Sequence, residues 1–228
     1  MCPTLPYNTG TDLEDVWSLV SGCTPVSMGC DNCAARTAML AAGTTFDVRI
    51  NWDMLQHPRN IKAPTSLFLC PFGDLFHERV PFALAHAALK VIRETPQHTY
   101  HILTKRASRL VSFFEAQKIP SNVWLGVSAE NSKWGKDRVE ALLTLRTRAT
   151  NLFVAAEPLL GDLRAIDLRG IDWVIAADEK GQNARPVSTA IVQDLEAQCL
   201  ESNVNFLNTI GLQVVRWGSI SSNYINRS

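Results

Sequence analysis

Two stretches of this chain, Leu152-Phe153-Val154-Ala155-Ala156 and Trp173-Val174-Ile175-Ala176-Ala177, are apolar at every position. A strand with water on one face alternates polar and apolar side chains, so runs like these belong to strands covered on both sides. Related runs recur along the sequence, and together they predict strands at Val48–Trp52, Ser66–Cys70, Thr99–Thr104, Val123–Ser128, Leu152–Ala156, Trp173–Ala177 and Val204–Leu207. Helical spacing lies between them. Phe82, Ala85, Leu89 and Ile92 share a face after Pro81, a favoured first-turn residue. Leu110, Phe113 and Phe114 make a second stripe, Val139, Leu142 and Leu143 a third, and Ile191, Leu195 and Cys199 a fourth that follows Ser188, an N-cap residue type.

Strand–helix alternation implies a parallel sheet with right-handed crossovers. The expected class is therefore α/β, as a (β/α) barrel, complete or partial, with a doubly wound open sheet as the alternative. A chain of 228 residues is compact for eight units, which usually take ~250. It is expected to form a single domain over residues 1–228, with the Ser/Asn-rich stretch 217–228 as a surface or disordered tail.

Polar residues cluster just after the expected strands. Asp74 and His77 follow one, Lys105 and Arg106 the next, then Ser128, Glu130 and Asn131, then Glu157, then Asp178 and Glu179. In a barrel those carboxyl-terminal ends converge on one rim, where active sites are built.

Lysine plus arginine equals aspartate plus glutamate at 22 each. A polyanion therefore meets no global basic field, and nucleic-acid binding needs a local stripe. Arg106, Arg109, Lys133, Lys136, Arg138, Arg146 and Arg148 are the candidates for one, and Trp124 and Trp134 for stacking a base. No apolar stretch reaches the ~20 residues that span a bilayer. Met1–Gly10 lacks the basic-then-apolar pattern of a secretory signal, so the expectation is a cytoplasmic protein whose cysteines are thiols or ligands.

The sharpest chemistry lies in Gly22-Cys23-Thr24-Pro25-Val26-Ser27-Met28-Gly29-Cys30-Asp31-Asn32-Cys33. Cys30 and Cys33 point two thiolates into one site, and Cys23 is close enough for the same loop to wrap back. Three soft ligands without an obvious fourth suit a [4Fe–4S] cluster with one open iron. Structural zinc is the rival, and it asks for a fourth ligand, for which Cys70 is the candidate. The third reading is that these cysteines are small apolar residues.

This loop is one of six ordered motifs by which nearly the whole chain resembles a phage-associated family of small radical-SAM-like proteins, remote relatives of spore photoproduct lyase. The others are Asp74-Leu75-Phe76-His77-Glu78-Arg79-Val80-Pro81, Leu103-Thr104-Lys105-Arg106, Asn122 to Asn131, Ala156-Glu157-Pro158-Leu159-Leu160-Gly161 and Ala184-Arg185-Pro186. The chain departs from that family's pattern at Ala34, at Asp178-Glu179-Lys180-Gly181 and at Asn208-Thr209-Ile210-Gly211.

The resemblance implies a radical SAM type of (β/α) barrel with a [4Fe–4S] cluster on Cys23, Cys30 and Cys33. S-adenosylmethionine (SAM) is then bound against the open iron, cleaved by one electron, and used to abstract a substrate hydrogen. Ser128, Glu130 and Asn131 become candidates for the ribose or methionine amine, Lys105 and Arg106 for the carboxylate or a substrate phosphate, and Glu157 for the amine or ribose. Asp74 and His77 are expected to face substrate, His77 as a proton donor. The implied partners are an electron donor such as a flavodoxin or ferredoxin, and DNA or a modified nucleotide. The implied reaction is an isomerase-type rearrangement on a hypermodified thymine-type base of phage DNA, in the host cytoplasm. A zinc-stabilised binding module and a catalytically silent relative are the alternatives.

Overall fold

A computed structural model describes residues 16–181 and 183–211. Cys2, Met1–Gly10 and the tail 217–228 lie outside the described residues. The described residues open with two short strands, β1 (Val16–Trp17) and β2 (Val20–Ser21), then run through the cysteine segment into α1 (Ala34–Ala41). β3 (Arg49–Ile50), α2 (His57–Asn60) and β4 (Ser66–Leu69) follow. From there strand and helix alternate: α3 (Phe82–Glu94), β5 (Thr99–Thr104), α4 (Ala107–Phe114), β6 (Val123–Ser128) and α5 (Ser132–Leu143). β7 (Asn151–Ala156), β8 (Trp173–Ala176), α6 (Thr189–Glu201) and β9 (Asn205–Asn208) complete the described elements.

Seven strands form one sheet in the order β1-β4-β5-β6-β7-β8-β9, every neighbouring pair parallel. Among the described strands the order never reverses, so they form none of the switch points of a doubly wound fold. With right-handed crossovers, a one-way order puts the helices on one face. Side chains obey the two-residue period of a strand. Leu67, Leu69, Tyr100, Ile102, Leu125, Val127, Leu152, Val154 and Val174 point into the helix-covered core. Phe68, Phe153, Ala155 and Ile175 make a second cluster, with Leu103, Trp124, Trp173 and Leu207 packed at its edge. Both faces are apolar, which is why these strands lack a polar alternation.

The expected strands from Ser66 onward are present within a residue or two. Val48–Trp52 is shorter than expected and sits elsewhere: β3 pairs antiparallel with β2 beside the main sheet, and Trp52 begins a 3-10 turn. The first strand of the sheet among the described residues, β1, is two residues long, too short to show a period. α6 starts after Ser188 as expected, although the serine side chain makes no capping bond. Among the described residues no helix is long and apolar enough to cross a membrane.

Candidate functional site

The carboxyl-terminal ends of β4 to β8 form one rim of a cleft with about 860 Å³ of free space, part of it open to solvent. Cys23, Cys30 and Cys33 line it together with Asp74, Lys105, Arg106, Ser128 and Glu157. Phe46, Phe68, Phe72, Leu103 and Pro158 supply apolar wall.

Local rules explain how the cysteine loop reaches this rim. Gly22 follows β2; its φ of +78° suits glycine, and a Cβ there would lie 2.0 Å from the Asp47 carbonyl oxygen. Its N–H donates to the Phe72 carbonyl at 2.7 Å, tying the loop to the segment after β4. A 3-10 turn over Met28–Cys30 follows, closed by the Cys30 N–H on the Ser27 carbonyl at 2.9 Å. Cys33 then takes the N-cap position of α1. That helix was not anticipated from the sequence, because four small or short residues, Ala34, Ala35, Thr37 and Ala38, leave no clear apolar stripe.

The loop rests on Glu130. This carboxylate is 0% exposed. Its Oε1 accepts from Ser27 Oγ at 2.6 Å and from Lys105 Nζ at 2.7 Å, and its Oε2 from Arg138 Nη1 at 2.8 Å. Burial alone would raise its pKa, but Lys105 and Arg138 outweigh that and hold it below the usual glutamate range. Gly29 lies directly on top: a Cβ there would be 2.5 Å from Glu130 Cγ. Lys105 also reaches Cys30 Sγ, at 3.7 Å. Burial pushes the Cys30 thiol up, yet Lys105 and the backbone N–H groups of Val26 and Ser27 bring it below the ordinary cysteine value.

Arg106 secures the start of the loop. Its Nε donates to both Glu78 oxygens at 2.9 Å. Nη1 donates to Asp74 Oδ2 at 3.0 Å and to Cys23 Sγ at 3.5 Å, and Nη2 donates to the Thr24 carbonyl and hydroxyl oxygens at 3.1 Å each. Those contacts use all five guanidinium protons. Burial opposes its charge, but Asp74, Cys23 and Glu78 raise its pKa above the ordinary arginine value. Cys23 itself is pushed up to about 11, burial exceeding the pull of Arg106, so ligation there must release a proton.

The residues singled out from sequence thus divide into two groups. Cys23, Cys30, Cys33, Lys105, Ser128 and Glu157 come together on the cleft wall. Glu130 and Asn131 lie behind it. Asn131 caps α5 by accepting from the Trp134 N–H at 3.1 Å, and its Nδ2 faces Met28 Sδ at 3.3 Å. Arg106 and Asp74 touch the cleft but are spent on one another: Asp74 also takes the Thr104 hydroxyl on both oxygens at 2.8 Å and the Phe76 N–H at 2.8 Å.

His77 is buried beneath the loop. Its Nδ1 accepts from the Arg79 N–H at 3.0 Å, so Nε2 carries the proton and donates to Thr24 Oγ1 at 2.8 Å. Burial, then Arg106, lowers its pKa and keeps it neutral. It holds Thr24 in place.

The arginines of the expected basic stripe each hold a partner within the chain. Arg138 serves Glu130, and Arg109 donates to the Phe76 and Val80 carbonyls at 3.0 and 2.9 Å. Arg146 pairs with Asp172 at 2.7 Å, and Arg148 donates to the Glu115 and Gln117 carbonyls at 2.6 and 2.9 Å. Trp124 is stacked on His101 at 6.0 Å, within the sheet's second apolar face.

Sequence reasoning missed Ser27 and Thr24 as site residues and placed Arg138 on a basic stripe, where the structure puts it beneath the cysteine loop. The signal for Arg138 was present: Gly135, Arg138, Val139 and Leu142 are buried at helical spacing, which puts the arginine on the inward stripe of α5.

A family described as "Protein of unknown function (DUF5131)" matches residues 11–223. The chain belongs to this family. No curated protein and no solved structure matches it. The family match spans the cysteine loop, the whole described sheet and the cleft rim.

Proposed function

We propose that this member of the family is a radical SAM enzyme whose sheet is a partial (β/α) barrel. The observation that carries the reading is the meeting of Cys23, Cys30 and Cys33 on one cleft, with Arg106 at one thiol and Lys105 at another. Cations beside thiolates offset the negative charge of a cysteine-ligated iron–sulfur group. Among the described residues no three His, Cys, Asp or Glu side chains gather closely enough to share one metal ion. Cys70, the candidate fourth zinc ligand, lines the same cleft, so metal analysis has to separate the two readings.

The donor set fits a [4Fe–4S] cluster on these three cysteines, with SAM beside it. Held by Cys23, Cys30 and Cys33, that group would supply one-electron reductive cleavage of the sulfonium carbon–sulfur bond, with methionine released, and through it abstraction of a substrate hydrogen. The chain's own residues do the rest. Arg106 and His77 hold Thr24, and through it the backbone next to Cys23. Glu130 supports Ser27 and Gly29 from below. Lys105 offers a charge for the methionine carboxylate, Glu157 a carboxylate for its amine, and Ser128 a hydroxyl for the ribose. Phe46, Phe68 and Phe72 exclude water from the reacting atoms.

The substrate reading that accompanies the resemblance is a modified thymine-type base, and a flat ring suits these aromatic walls. With the arginines committed elsewhere, a free nucleotide or a base presented by a partner fits better than duplex DNA gripped by this chain. The electron comes from a flavodoxin or ferredoxin.

The test is anaerobic reconstitution with iron and sulfide, followed by dithionite and SAM. 5′-Deoxyadenosine is the expected product, lost in Cys23→Ala, Cys30→Ala and Cys33→Ala. Zinc retained in place of iron would overturn the reading, and a cluster that leaves SAM intact would point to the silent relative.

A further inference from the structure

The loop between β8 and α6 crosses the outer side of the cysteine loop, and hydrogen bonds from an ion pair within it, Glu179 with Arg185, join the two. Glu179 is 6% exposed. Its Oε2 accepts from the Arg185 backbone N–H at 3.0 Å and from Arg185 Nε at 2.9 Å, and its Oε1 accepts from Arg185 Nη2. Both residues then reach across. Asn32 Nδ2 donates to Glu179 Oε2 and to the Asn183 carbonyl, each at 2.9 Å. Arg185 Nη2 donates to the Met28 carbonyl at 2.8 Å, and Nη1 lies 3.4 Å from Asp31 Oδ2. These bonds land on the residues that flank Cys30 and precede Cys33.

Geometry distinguishes this pair from an ordinary surface salt bridge. The Glu179 side chain is 3% exposed and receives a two-pronged guanidinium from its own loop, so the pair moves as a unit, and lifting it breaks the bonds from Asn32 to Glu179 and from Arg185 to Met28 and Asp31. Glu130 holds the inner side of Ser27 and Gly29, and Arg106 holds Thr24. The outer side of Met28–Asn32 is held by Glu179 and Arg185.

We propose that Glu179 and Arg185 are positioning residues that strap the β8–α6 loop over the cysteine loop and keep the Cys30 and Cys33 thiols in their ligand arrangement before any metal arrives. This rests on the reading of those cysteines as ligands, but it concerns the metal-free chain and is tested there. The experiment measures iodoacetamide alkylation of each cysteine by mass spectrometry in metal-free wild type, Glu179→Ala and Arg185→Lys. Lysine keeps the charge but cannot span Glu179 and the Met28 carbonyl together.

Cys30 and Cys33 are expected to react about tenfold faster in both variants, the scale set by losing one charge-assisted hydrogen bond. Cys23, on the far side of the loop, and the buried Cys70 and Cys199 keep their wild-type rates. Unchanged rates at Cys30 and Cys33, or rates rising equally at Cys70 and Cys199, overturn the proposal. A second measurement follows iron release to a chelator from reconstituted protein, expected to quicken by a similar factor. If the alkylation result holds while wild type binds no iron, the strap stands and the cluster reading falls.

Discussion

Glu130 carries more of the site than its place behind the cleft wall indicates. Replacing it with alanine leaves Lys105 and Arg138 as buried cations without their carboxylate, which costs about 3–5 kcal/mol. Urea denaturation of Glu130→Ala should read a loss of that size; a loss under about 1 kcal/mol would mean the two cations had escaped to water. Its depressed pKa sets the sign of the pH effect. The carboxylate stabilises the fold fully above about 4.5, the ordinary glutamate value, and that contribution fades as pH falls through the lower folded value.

His101 works in a different window. Burial against Trp124 and Phe153 lowers its pKa to about 4 from 6.5, and its Nδ1 has no hydrogen-bond partner. The neutral ring is the folded form, so stability is complete above 6.5 and declines as pH drops from 6.5 towards 4. His101→Phe should keep the stacking and make the stability–pH curve shallower across that interval, as followed by denaturation at several pH values. An unaltered slope would remove His101 as its source.

Among the elements, the cysteine loop is the one whose shape depends most on what it touches. Gly29→Ala puts a methyl group into the Glu130 side chain at 2.5 Å, and overpacking at a filled site costs about 1–3 kcal/mol. The expected result is a lower denaturation midpoint together with weakened iron uptake on reconstitution. Normal uptake in a destabilised Gly29→Ala would show that the loop re-seats without the Glu130 contact. The longer elements behave otherwise. β5, β6 and β7 follow from their own runs of β-branched and apolar residues, and α3 from its stripe after Pro81. β1 and α1 do not, since two residues hold no period and an alanine-rich turn holds no stripe.

For the molecule as a whole, equal numbers of cationic and anionic side chains, with Arg106 and Arg138 buried in the cleft's supports, predict weak duplex binding. Fluorescence anisotropy with a DNA duplex should give a log affinity against log salt slope no steeper than about −2, the signature of about two phosphate contacts. A slope several times steeper would require a basic surface that the described residues do not form.

Patterns of neighbouring residues settle the α/β class, the parallel strands and the spacing of the three cysteines, because burial on two faces and a short loop are local demands written into adjacent side chains. The one-way strand order, the seat of Gly29 on Glu130 and the diversion of Arg106, Arg138 and His77 from the cleft into its supports are different in kind. They depend on residues 8 to 103 positions apart in the chain competing for the same few buried donors and acceptors. That competition has no outcome until the sheet has brought its strand ends together.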